Sequence, residues 1–249
     1  MDEADTAEGP VEDAPGGTVD DRSRSRYPLP AFVDWLAAAV VAVAGLATVL
    51  GGVVLTFLVD RDAVAAGVES GELQVVFFER ELADPEAVEF TLAVASWSGL
   101  GLLVTGVALC LFAVGYLAVR QRAHSSAEGG RAPGTLRSHA VVGAVTAAVL
   151  SFLPVSPAVG GGVAGYLEAH ESARATSAGA LSGLLLVLPV VVELAFLGVG
   201  LFAGAAAVDA SDVGVVASVV VAFAVVVVAV VSVGLGAVGG FVGGRLFER

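Results

Sequence analysis

The apolar residues of this chain are gathered into long unbroken stretches instead of recurring at the spacing of a soluble helix face. Four of these run from Ala31 to Val59, Thr91 to Val119, Gly179 to Val208 and Val213 to Gly244. A bilayer core roughly 30 Å thick takes about 20 apolar residues of helix, because each residue rises only ~1.5 Å and lipid offers no partner to a bare backbone amide. All four stretches exceed that length. The pattern therefore predicts an all-α polytopic transmembrane bundle with four full spans and the lipid bilayer as its surroundings.

A fifth stretch, Ala140 to Leu167, is long enough to cross but is interrupted at Pro154-Val155-Ser156-Pro157. Each proline removes an amide donor and clashes with the preceding turn, so Pro154 and Pro157 mark a helix break. Two arrangements fit: a kinked single crossing, or a re-entrant hairpin with limbs of about 14 and 10 residues that other helices must shield. The arginines favour the second. With a single crossing, Arg174, Arg245 and Arg249 join Arg61 and Arg80 outside; with a hairpin, only Arg61 and Arg80 are external and the C-terminus is cytoplasmic.

Polar segments divide the chain. Residues 1–30 carry eight acids and no apolar periodicity, which predicts a disordered acidic tail. Its basic end, Arg22, Arg24 and Arg26, places the N-terminus in the cytoplasm, with Tyr27 and Trp35 as interfacial anchors and Asp34 snorkelling out of the first turn. Residues 31–119 form a two-span hairpin whose external loop, 60–90, is acidic and holds an apolar island at Leu73, Val75, Val76, Phe77 and Phe78, lying on the membrane or capping the bundle. Pro85, with Glu86 and Glu89 behind it, suits a helix start. Residues 120–139, with four arginines and a Gly- and Pro-rich run, read as a flexible cytoplasmic linker. A Gly-rich membrane domain, 140–249, follows. With thirty polar residues before the first span there is no cleavable signal peptide, and that span serves as the insertion signal.

Composition sharpens this picture. The chain is 57% hydrophobic, its net charge is −13, and all 12 basic residues are arginine. An acidic surface without lysine suits very high salt, where screening removes most self-repulsion; an acidic membrane protein from a GC-rich genome is the plainer alternative. That charge argues against a nucleic-acid partner. Cys110 is the only cysteine, so neither an intrachain disulfide nor a cysteine-based metal site can form.

Glu193 is the candidate for ion or proton binding. It sits mid-span with no charge within ten residues on either side, and a carboxylate at membrane depth costs several kcal/mol unless it is protonated, hydrated or paired. The plainer reading is a neutral acid bonded to a hydroxyl or to a carbonyl freed at Pro154 or Pro157. Glycines at small-xxx-small spacing, Gly161 and Gly165, Gly179 and Gly183, and Gly236, Gly240 and Gly244, predict close-packed seams between helices or between copies of the chain. His124, His139 and His170 lie near span ends without metal-ligand spacing and are expected in solvent. No metalloprotease, nucleophile-elbow, phosphate-loop or dinucleotide motif is present, so no enzyme activity, metal or cofactor is expected.

The run Phe152-Leu153-Pro154-Val155-Ser156-Pro157, followed by Gly161-Gly162-Val163-Ala164-Gly165-Tyr166-Leu167 and the Gly179 to Gly183 helix start, resembles an uncharacterised family of haloarchaeal polytopic membrane proteins over residues 139–249. The resemblance implies a halophilic membrane protein and carries no activity. The residues thus point to a non-enzymatic structural or accessory membrane protein, self-associating through its glycine seams, with a small transporter or channel centred on Glu193 and the Pro154 to Pro157 break as the alternative.

Overall fold

The computed structural model describes residues 31–78, 80–128, 136–168 and 172–247. The expected N-terminal tail lies outside these residues, as do 129–135 of the linker and His170. Helices α1 (Ala31–Val53), α3 (Asp84–Glu128), α6 (Ser172–Ala207) and α7 (Ser211–Phe247) build the bundle, and four segments containing them are long and apolar enough to cross a membrane. A π-helical turn, Val54–Leu58, extends α1. The short helix α2 (Arg61–Glu69) and the two-residue strands β1 (Val76–Phe77) and β2 (Arg80–Glu81) occupy the connection between α1 and α3. The strands pair antiparallel, Val76 with Glu81 and Phe77 with Arg80.

Local chemistry explains the ends of these elements. Asp60 caps α2 by accepting from the Ala63 N–H at 2.7 Å. Glu86 accepts from the Ala83 N–H at 3.2 Å as α3 opens. Of the island that follows α2, Phe77 turns inward, 4.8 Å from the Phe90 ring and in one cluster with Val64, Val68, Ala205 and Ala217, while Leu73, Val76 and Phe78 stay exposed. Phe77 and the buried face of α2, Val64 and Val68, thus cap α3, α6 and α7, and most of the island faces outward. Helix α3 does not stop at the last apolar residue but continues through Arg122 to Glu128. Part of the expected linker is therefore helical, because nothing from Arg120 to Glu128 breaks a helix before Gly129.

The proline-broken segment is a helical hairpin. Its limbs are α4 (Leu136–Val149) and α5 (Ser156–Leu167), roughly 20 Å and 18 Å long at ~1.5 Å per residue. The limbs return to one another, since His139 at the start of α4 lies 2.6 Å from Glu168 at the end of α5. Pro157 sits in the first turn of α5, where its missing N–H is not needed. The turn between the limbs feeds its own amides backwards: Ser151 N–H donates to Ala148 O, Leu153 N–H to Leu150 O and Ser156 N–H to Leu153 O, at 2.8–3.2 Å. Pro154 falls between these bonds and interrupts none of them.

The helices pack as two units joined along α3 and α6. The first is α1 on α3; the second wraps α4 and α5 onto α6 and α7. Helix α4 also touches α1, so the hairpin reaches across the boundary between the units.

Candidate functional site

Three features of the bundle bear on function: a glycine seam, a buried polar network at the Asp34 end, and a cavity with two bare oxygens beside it.

The seam comes first because it sets how closely the backbones approach. Gly161 and Gly165 of α5 rest against Gly236 and Gly240 of α7, and Gly179 of α6 rests against the same two glycines from the other side. Gly183 faces the Ser232 carbonyl, and Gly244 faces Ala175. Three helices thus meet backbone to backbone, a distance that only residues lacking a side chain permit. All seven glycines singled out in the sequence work inside one chain. A second seam, between α1 and α3, has a weaker sequence signature: Gly45 lies against Gly106, and Gly52 against Gly99. Its signal is a spacing of seven in both helices, the coiled-coil repeat, which a search for four-residue spacing passes over.

The network at the Asp34 end overturns three expectations. Asp34 does not snorkel: it is 2% exposed, accepts from Arg120 Nε at 2.9 Å and from the Tyr116 hydroxyl at 2.6 Å. Arg120 is not a solvated linker charge but lies 4% exposed against α1. His139 is not in solvent either; it is buried and its Nδ1 meets Glu168 Oε2 at 2.6 Å. The reason is the same in each case. A charge just inside a span has two escapes, water or a partner, and here the α1–α3 seam and the α4–α5 hairpin bring partners closer than water. Arg120 Nη2 is buried with no hydrogen-bond partner.

Further along the bundle lies a cavity of about 510 Å³ between α1, α3, α4 and α6. Its walls are apolar residues such as Val41, Phe112, Val145 and Leu188, and Pro189 of α6 is among them. Phe112 stacks with Tyr116 at 6.4 Å, so the cavity begins about one turn below the polar network. Thr105 of α3 lines it and is 5% exposed. Glu193 stands just past the cavity wall at Val192, wedged against α3: a Cβ added at Gly101 would lie 2.7 Å from its Oε2. That oxygen has no hydrogen-bond partner, and neither has Thr105 Oγ1. Pro154 and Pro157 are in and just after the hairpin turn, and no carbonyl freed there bonds Glu193 Oε2.

Among the described residues no group of three or more His, Cys, Asp or Glu is placed to hold a metal ion. Neither the curated proteins nor the solved structures include a match to this chain. Residues 137–246, from the first turn of α4 to the end of α7, match the model of a family of unknown function, DUF5518.

Proposed function

We propose that this chain is a multi-pass protein of the cell membrane, with its N-terminus cytoplasmic and a non-enzymatic structural or accessory role. On this reading the α1–α3 hairpin is a membrane-embedded clasp that holds the C-terminal glycine-sealed unit. The observation that carries it is the pairing of buried charge. Asp34 with Arg120 joins α1 to α3, and His139 with Glu168 joins the two limbs of the hairpin, each pair buried and bonded within its own unit. Charges that carry protons or ions are exposed to a pathway; these are consumed in holding helices together. The glycine seams support the same view, since they are occupied within one chain and join its own helices. Self-association, on this reading, uses the outward faces of the bundle.

A second reading is favoured by one observation. Glu193 Oε2 is buried, bare and mid-span, beside a helix containing Pro189, and midplane ion sites are built at such places. The two readings separate in proteoliposomes. The accessory role predicts that purified protein adds no proton or sodium flux above protein-free vesicles, and that Glu193→Gln changes nothing. A flux abolished by Glu193→Gln would establish the transporter and overturn the accessory role.

A further inference from the structure

We infer that the cavity between α1, α3, α4 and α6 is a binding site for a neutral, elongated lipophile carrying one hydrogen-bonding oxygen, such as a long-chain alcohol, ketone or ester. Of the proposed function it requires only that the bundle is surrounded by lipid. The volume, about 510 Å³, lies within the roughly 300–1,000 Å³ typical of small-molecule sites. The walls are aliphatic and aromatic and carry no charged side chain, so an ionic ligand would lose its hydration without compensation.

The single polar group on those walls identifies the oxygen. A threonine hydroxyl in an apolar helix ordinarily bonds the carbonyl one turn back, as Thr48 does with Ala44 O at 2.8 Å and Thr146 with Val142 O at 2.9 Å. Thr105 does not, although the Gly101 carbonyl is available one turn back and its hydroxyl is excluded from solvent. A buried hydroxyl without a partner costs about 1–3 kcal/mol, and an oxygen in the cavity removes that cost. Glu193 Oε2 stands against Gly101, on the same face of α3 one turn away, and offers a second polar contact for a ligand that extends past Val192. At the other end the wall is Phe112, stacked on Tyr116, whose hydroxyl is already committed to Asp34, so the ligand's apolar end meets an aromatic face there.

Photolabelling tests this. Detergent-solubilised full-length protein is labelled with a diazirine derivative of hexadecanol and challenged with unlabelled hexadecanol or hexadecane. Labelled peptides are expected from α3, α4 and α6, displaced by hexadecanol at lower concentration than by hexadecane. Thr105→Val should weaken hexadecanol competition roughly 5- to 10-fold, the worth of one hydrogen bond, and leave hexadecane unchanged. Ala108→Phe and Ala148→Phe fill the cavity from residues that are partly open to the surroundings and should abolish labelling there. Each variant is accepted only if its elution volume in size exclusion matches the parent. Equal displacement by hexadecane and hexadecanol, with no effect of Thr105→Val, would mean the cavity takes any acyl chain of the bilayer and would overturn the proposal. Labelling spread over the lipid-facing residues of α7 and untouched by the Phe variants would overturn it equally.

Discussion

Gly236→Val and Gly240→Val should each abolish the folded C-terminal unit, while Gly234→Ala and Gly115→Ala leave it intact. A Cβ at Gly236 would run into the Gly179 carbonyl, and one at Gly240 into the Ala175 carbonyl with Gly179 Cα at 2.9 Å. These are backbone atoms, which have no rotamer by which to retreat. Relief requires α5, α6 and α7 to separate, and separation breaks both sides of a three-helix seam. Overpacking a core ordinarily costs about 1–3 kcal/mol; a clash with two backbones belongs at or above the upper end. Gly234 and Gly115 have open space where a side chain would go, and exchanging a helical glycine for alanine there should raise stability by up to about 1 kcal/mol. The measurement is the fraction of protein that survives a heat step as a single species in size exclusion. Equal survival of Gly236→Val and Gly234→Ala would show that the seam does not hold the unit together.

Arg120→Ala and Asp34→Ala are expected to destabilise by roughly 3–5 kcal/mol each, because each takes a close counter-ion from a charge buried where water does not reach. The double substitution Asp34→Leu with Arg120→Met should recover much of the loss, since it removes both charges and keeps apolar volume. Tyr116→Phe removes one hydrogen bond to Asp34 and should cost about 1–3 kcal/mol, the penalty for stripping a partner from a buried carboxylate. The apparent melting temperature in detergent reads all four. If the double variant is no better than the single ones, Asp34 and Arg120 are not acting as a pair.

Much of the architecture is legible in the order of residues. Unbroken apolar length locates the four long helices, and Pro154 with Pro157 locates the break, because both signals depend only on local chemistry. The preference for a returning hairpin comes from the arginines, a topological signal, and the limbs do return. What the sequence hides is pairing between distant segments. Asp34 is 86 residues from Arg120, and His139 is 29 from Glu168. Each is flanked by polar residues or a span end, which is how a solvated charge looks as well. Only tertiary packing decides between water and a partner. The same limit applies to Glu193, visible as an isolated mid-span acid, whose neighbours Gly101 and Phe196 can be named only once α3 and α6 are set side by side. The cavity is likewise invisible in the sequence, since it is the space four helices leave between them.

The returning hairpin orders everything C-terminal to it, and its topology can be read directly. In a Cys110→Ala background, single cysteines are introduced by Glu128→Cys, Ser172→Cys, Ala210→Cys and Phe247→Cys, and intact cells are treated with a membrane-impermeant maleimide. A hairpin that enters and leaves on one side keeps positions 128, 172 and 247 together, all protected in whole cells, and leaves only position 210 to be labelled. Labelling at 172 and 247 with protection at 128 and 210 would mean that residues 140–167 cross the bilayer, which a hairpin of α4 and α5 returning to its side of entry forbids.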